Sequence, residues 1–378
     1  MGLKRRAFIK RMIGGAGILS VASGTAAILT PPKVTQKLMP NILYSAGMSH
    51  SGQYFISAVS DQGKTLFKTP LPARAHDISL RPNSNELLVF ARRPGHFLLI
   101  LDANTGHIIQ RIQSGDHRPL YGHGVFSHNG NTLYLTANNI EQKNSVIIAL
   151  YANDHYRKIN EFSSGGIGAH EIHLLSDNKT LVVANGGILT HPETGRSKLN
   201  LETMTPALSY IDSNTGALLG DYRLDKKYHQ LSIRHLDVNA DDTVCFAMQY
   251  QGSRRDRFPL VGFHHQGKAL QLVTMPSGTL GKMKNYCGSV CADQSGQSFA
   301  ISSPRGNLIT TWTANGEFID SIPLDDACGI AASSQDNAFY FSNGKGEIHQ
   351  YQADKKQINL VASFASQRWD NHMLSRLS

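Results

Sequence analysis

The sequence runs to 378 residues with a formal charge of +9, yet only 17% of its residues are charged while 34 are glycine. Five of the positive charges (Lys4, Arg5, Arg6, Lys10 and Arg11) stand together near the N-terminus with no acid among them, which leaves +4 on the remainder. No basic run with interleaved aromatics follows, so composition gives no case for nucleic acid. A chain poor in charge and rich in Gly, Ser, Asn and Thr argues for short strands and polar turns rather than helices.

Residues 1–30 read as a targeting segment. Lys4-Arg5-Arg6-Ala7-Phe8-Ile9-Lys10 matches the twin-arginine pattern: paired arginines, an aromatic two places on, an aliphatic, then lysine. The weakly apolar stretch behind it, Met12 to Leu29, is milder than a membrane span, which needs about 20 strongly apolar residues. The expected route is the Tat translocase and the expected location the periplasm. Thr25-Ala26-Ala27 is a candidate cleavage point; an ordinary Sec signal, or retention as an anchor, is the alternative.

From residue 41 to 378 a single domain is expected. Ile42–Gly47, Tyr54–Val59 and Thr65–Leu71 come first, three strands that match the later part of a four-stranded unit. A complete unit follows: His76–Leu80, Glu86–Ala91, His96–Asp102, a turn at Asn104-Thr105-Gly106, and His107–Gln113. Its start recurs at His123, His170, His235, Cys287 and Cys328, with spacings of 47, 47, 65, 52 and 41 residues. That is the period of propeller blades. Trp369-Asp370-Asn371-His372 then begins one more first strand with no blade behind it. The two terminal fragments complement each other, and joining them satisfies strand edges that would otherwise stay open. The fold class is therefore all-β: a seven-bladed β-propeller whose last blade is closed by strands from both termini.

The unit starts carry the candidate chemistry. In a propeller the junction from the outermost strand of one blade to the innermost strand of the next lies near the axis. His76, His123, His170, His235 and His372 occupy that position, and Cys287 and Cys328 fill the other two. Five imidazoles and two thiols converging on one channel mouth make a candidate site for Fe, Cu or Zn, His suiting all three and Cys the softer ions. The alternative is that each histidine ties blade to blade by hydrogen bonds. Asp77, Glu171, Asp237 and Asp370, and Arg74, Arg118, Arg234 and Arg368, add charge nearby. Two insertions interrupt the repeat. The longer, Ala184–Asn200 running on to Met204-Thr205-Pro206, is a polar loop of a length that is usually functional. Candidate ligand contacts are thus His123, His170, Glu171, Asn185, His191, Arg196 and Arg234. The second insertion, Gln249–Arg257, carries Arg254, Arg255 and Arg257 and is either an anion contact or a solvated loop.

Among Cys245, Cys287, Cys291 and Cys328 there is no CxxC or CxxCH, which excludes covalent c-type haem and leaves disulfide and buried free thiol both open. No G-x-S-x-G, HExxH, Walker A or dinucleotide fingerprint occurs, so no catalytic residue is assigned and the sequence leans away from an enzyme.

Gly168-Ala169-His170-Glu171, Ala184-Asn185-Gly186-Gly187-Ile188 with Thr190-His191-Pro192, His229-Gln230-Leu231-Ser232-Ile233-Arg234-His235-Leu236, and Trp369-Asp370-Asn371-His372 together resemble the bacterial domain of unknown function 1513. The resemblance covers nearly the whole chain after the leader. It implies a Tat-exported propeller of the YVTN and quinoprotein-dehydrogenase-like type, with a part in periplasmic iron or other metal acquisition. It also implies imelysin-like or di-haem periplasmic proteins as partners. It implies no activity. A lactonase-like hydrolase using the same face, by analogy of fold alone, and a pure interaction scaffold are the competing readings.

Overall fold

The computed structural model describes residues 40–377 apart from Pro94, Asp116 and Arg196, so the 1–30 leader lies outside the described residues. Met39–Ser378 clusters as one compact unit. Seven four-stranded antiparallel sheets make it up among the described residues. The innermost strands of blades 1 to 7 are Ala75–Leu80, Leu120–Phe126, Ala169–Leu174, Leu231–Val238, Ser289–Ala292, Ala327–Ala332 and Gln367–Arg376. The seventh belongs to the C-terminus and pairs antiparallel with Ile42–Ser49, the first strand of the chain, running from Ile42 opposite Arg376 to Ser49 opposite Gln367. The ring is thus closed by both termini, as the truncated repeats predict.

The burial gradient across each blade follows from stacking sheet on sheet. Second and third strands such as Glu86–Ala91 and Phe97–Asp102 are buried along almost their whole length, because neighbouring sheets cover both faces. Outermost strands such as Gln357–Ser363 face solvent. The hairpin turns use the chemistry read in the sequence. Asp102 Oδ1 accepts from the backbone N–H groups of Asn104 and Thr105, and Gly106 closes the turn at φ +71°. Asp212, Asn214, Thr215 and Gly216 repeat the arrangement in blade 3.

One feature of the innermost strands escapes the repeat pattern and positions the site. Their register against the second strand slips at the same place in blade after blade: between Ala75 and Ile78, Leu120 and Gly124, Ala169 and Glu171, Ile233 and His235, and Trp369 and Met373. Such bulges insert extra residues and re-aim their side chains. His76, His123, His170, Arg234 and His372 fall among the extra residues, and His235 comes directly after one. The histidines therefore sit within strands rather than in the connecting loops. Carbonyls displaced from the ladder find new donors, since the Thr136 hydroxyl donates to His123 O at 3.2 Å and the Ser45 hydroxyl to His372 O at 2.8 Å.

Candidate metal centre

The five histidines meet on the axis. Ring centroids stand 4.7 Å apart for His76 and His123, 4.8 Å for His123 and His170, 4.7 Å for His170 and His235, 5.1 Å for His235 and His372, and 4.6 Å for His372 and His76. All five are buried, His123 and His235 most deeply at 1% exposure. Close packing requires room on the backbone: at Gly122 (φ +109°) an added Cβ would come within 2.7 Å of the His76 ring.

Two sets of potential ligand atoms lie within 4.8 Å of one another. One is His123, His170, Glu171 and His235; the other is His76, His123 and His372. Ligand atoms around a tetrahedral ion with bonds of about 2.0–2.2 Å stand about 3.4 Å apart, so modest closure would complete a coordination sphere. Three imidazoles and a carboxylate suit Zn, Fe or Cu(II), and the absence of thiolate in either set argues against a soft ion such as Cu(I). The two cysteines that share the repeat position do not join. Cys287 directs its thiol to Leu260 O at 3.8 Å, inside an apolar cluster, and the Cys328 thiol meets Asp326 O at 3.0 Å. All four cysteines are free thiols.

The carboxylates do the blade-to-blade tying. Asp77 Oδ2 of blade 1 lies 3.3 Å from His123 Nδ1 of blade 2. Glu171 Oε2 of blade 3 accepts from the backbone N–H of Leu236 at 3.2 Å and is hydrogen-bonded to His235 Nδ1 at 3.0 Å, both in blade 4. Asp237 Oδ2 of blade 4 accepts from the N–H of Ala292 in blade 5 at 2.7 Å, and Asp370 holds Arg74 bidentately at 2.5 and 2.8 Å. By contrast, several buried imidazole nitrogens make no hydrogen bond: Nδ1 of His76 and His170, and Nε2 of His123 and His372.

Burial drives His76, His170, His235 and His372 well below the ordinary imidazole pKa, with neighbouring imidazoles and arginines adding to it. These four are neutral and able to bind a cation. His123 is raised instead: burial alone would lower it, but Glu171 and Asp77 outweigh that. Burial pushes Glu171 up to about 7, against the pull of His123 and His173.

The remaining residues predicted as contacts are dispersed. Arg234 is 5% exposed and lines a cavity of about 910 Å³ that opens onto His76, His170 and His235. Asn185 spends its side chain on scaffolding, donating to Ser164 O at 2.8 Å and Ser209 Oγ at 3.0 Å while accepting from Ser164 Oγ. His191 stands with the exposed Glu193, 3.7 Å from its carboxylate, and is not part of either ligand set. The insertion that carries it is anchored at its base by Asn200, which accepts from Leu189 N–H and donates to Gly187 O. Arg196 lies outside the described residues. Sequence reasoning missed the rest of the cavity wall, among them Arg93, Arg305, Lys284 and Tyr286. No signal in the sequence marks them, because they come from loops of different blades.

The family model described as "Protein of unknown function (DUF1513)" matches residues 69–376. The chain belongs to the DUF1513 family. The match spans every innermost strand and so all five histidines. No curated protein matches the sequence. Among solved structures, the hydrazine synthase of Kuenenia stuttgartiensis aligns with a TM-score of 0.59 at 14% identity, over 90% of this chain and 100% of that one. At that identity the likeness concerns the propeller fold alone.

Proposed function

We propose that this DUF1513 protein binds a first-row transition metal through His123, His170, His235 and Glu171, with His76 and His372 closing the opposite side of His123. The observation that carries the reading is the set of buried imidazole nitrogens without hydrogen-bond partners. Leaving a buried polar group unsatisfied costs about 1–3 kcal/mol, and grouping several at one point is a standing cost that a bound ion removes. The neutral state of four of these imidazoles supports the same reading, since metal ligation needs the unprotonated ring.

The twin-arginine segment supports a place for this binding in the periplasm. The finer proposal is a non-catalytic role in iron acquisition there, beside imelysin-like or di-haem proteins. Untagged protein purified from its native compartment is expected to carry about one equivalent of metal, and metal-depleted protein to recover it from Fe(II), Zn(II) or Cu(II). A preparation free of metal that also shows no thermal shift with any of the three retires the reading. Iron specificity fails on its own terms if deletion of the protein leaves growth under iron limitation unchanged.

A further inference from the structure

The cavity above the histidines is built for negative charge. Six arginines and two lysines line it and no carboxylate does, among the described residues. They converge from distant parts of the chain: Arg93 after the second strand of blade 1, Arg234 at the bulge of blade 4, Arg254 and Arg257 in the second insertion, Arg305 in blade 5. None of these five lies within 4 Å of a carboxylate among the described residues. Arg234 is the telling member, being 95% buried with Nε and Nη1 lacking any hydrogen-bond partner. Others are held in place: Arg93 donates to the Tyr121 hydroxyl at 2.7 Å, and Arg305 is stacked 4.2 Å over the Tyr286 ring. Fixed guanidinium groups cost little further ordering when they engage a ligand.

We propose that this cavity binds a compact polyvalent oxyanion of the polycarboxylate or phosphate type, seated on Arg234 above the histidine floor. Planar guanidinium forks match carboxylate and phosphate oxygens. A volume of about 910 Å³ fits a small molecule rather than a polymer. So many like charges around one space repel each other, and a multiply charged anion removes that repulsion where a neutral sugar or peptide would not. The inference goes beyond the metal reading and does not require it. The two would reinforce each other, because the cationic walls oppose a bare divalent cation and a seated anion offsets them, each raising the affinity of the other by the same factor.

The test uses full-length mature protein freed of metal on a chelating resin, titrated calorimetrically at pH 7 and low ionic strength with citrate, inorganic phosphate and pyrophosphate. Binding of at least one is expected, weakening as salt is raised. Arg234→Gln is expected to weaken it about tenfold or more. Arg254→Gln with Arg257→Gln, on an exposed loop where folding is not at stake, should weaken it as well. Arg255→Gln is the control, since Arg255 shares that loop but does not line the cavity. Citrate alone binding identifies a polycarboxylate, and phosphate or pyrophosphate alone a phosphate. No binding of any of the three at millimolar concentration overturns the proposal. So does binding that the cavity variants leave unchanged. Because metal is absent throughout, a failure here leaves the metal reading standing, and loss of the metal reading leaves this result intact.

Discussion

Glu171 and His235 stand on the innermost strands of neighbouring blades, and Oε2 of the carboxylate is hydrogen-bonded to Nδ1 of the imidazole at 3.0 Å. This bond fixes the His235 ring, as carboxylates do when they orient metal-binding histidines. Glu171→Ala would leave His235 Nδ1 and the Leu236 N–H without their partner. The metal-free protein is expected to lose about 1–3 kcal/mol in urea unfolding. Glu171→Gln, whose amide oxygen still accepts, should keep most of that stability while lowering metal affinity.

His170 separates the two roles that a propeller histidine can have. Its Nδ1 makes no hydrogen bond and its ring lines the open cavity, so His170→Ala strips no polar partner and leaves no enclosed void. A stability change below about 1 kcal/mol is expected, together with loss of the thermal stabilisation by Fe, Cu or Zn. A large drop in melting temperature with the metal response intact would instead make His170 a blade-to-blade tie.

Acidification is expected to destabilise the metal-free protein. Four histidines have folded pKa values well below the ordinary one, so below about pH 6.5 the unfolded chain takes up four protons that the folded chain does not. His123 is raised and is protonated in both states below that pH. Glu171, pushed up to about 7, works in the opposite direction, because the folded state keeps a proton that the unfolded state releases above about 4.3. The unfolded state therefore binds more protons overall, and stability falls between pH 7 and 5. Each proton of difference contributes about 1.4 kcal/mol per pH unit. Urea midpoints at pH 7, 6 and 5 measure the slope; a midpoint that rises on acidification contradicts it.

Ring closure is expected to be indispensable. Trp369 of the C-terminal strand packs against Phe55 and Phe364 at centroid distances of 5.9 and 5.7 Å. Deleting Trp369–Ser378 opens the sheet edge at Ile42–Ser49 and should yield aggregated protein or a loss of several kcal/mol. Trp369→Ala, which keeps the backbone ladder, should cost about 3–5 kcal/mol. A truncated protein as stable as the full chain would contradict closure by the last strand.

Export is expected to depend on Arg5 and Arg6. Replacing both by lysine keeps the charge and removes the guanidinium pair, so precursor should accumulate in the cytoplasm. Fractionation and immunoblotting read the result, and undiminished export of the double variant removes the twin-arginine reading.

Blade count, blade order and closure by both termini were legible in the sequence because each blade is a local unit. Its strands pair with near neighbours in the chain, so the pattern repeats at a visible period. That five histidines share one repeat position was equally plain. Their convergence on the channel mouth was expected as well; the strand bulges that carry them were not. A bulge at Ala75–Ile78 or Leu120–Gly124 leaves no mark on the alternation of apolar and polar residues, yet His76 and His123 fall among its extra residues. Cys287 and Cys328 share the repeat position and join neither set of candidate ligand atoms, the first lying in an apolar cluster and the second against Asp326. The cavity was hidden for a further reason. Arg93, Arg234 and Arg305 are each unremarkable in their own stretch of sequence, and only closing the ring brings loops more than a hundred residues apart onto one space. Local pairing energies write the blades into the sequence; the convergence of side chains at the axis is set by the geometry of all seven blades together.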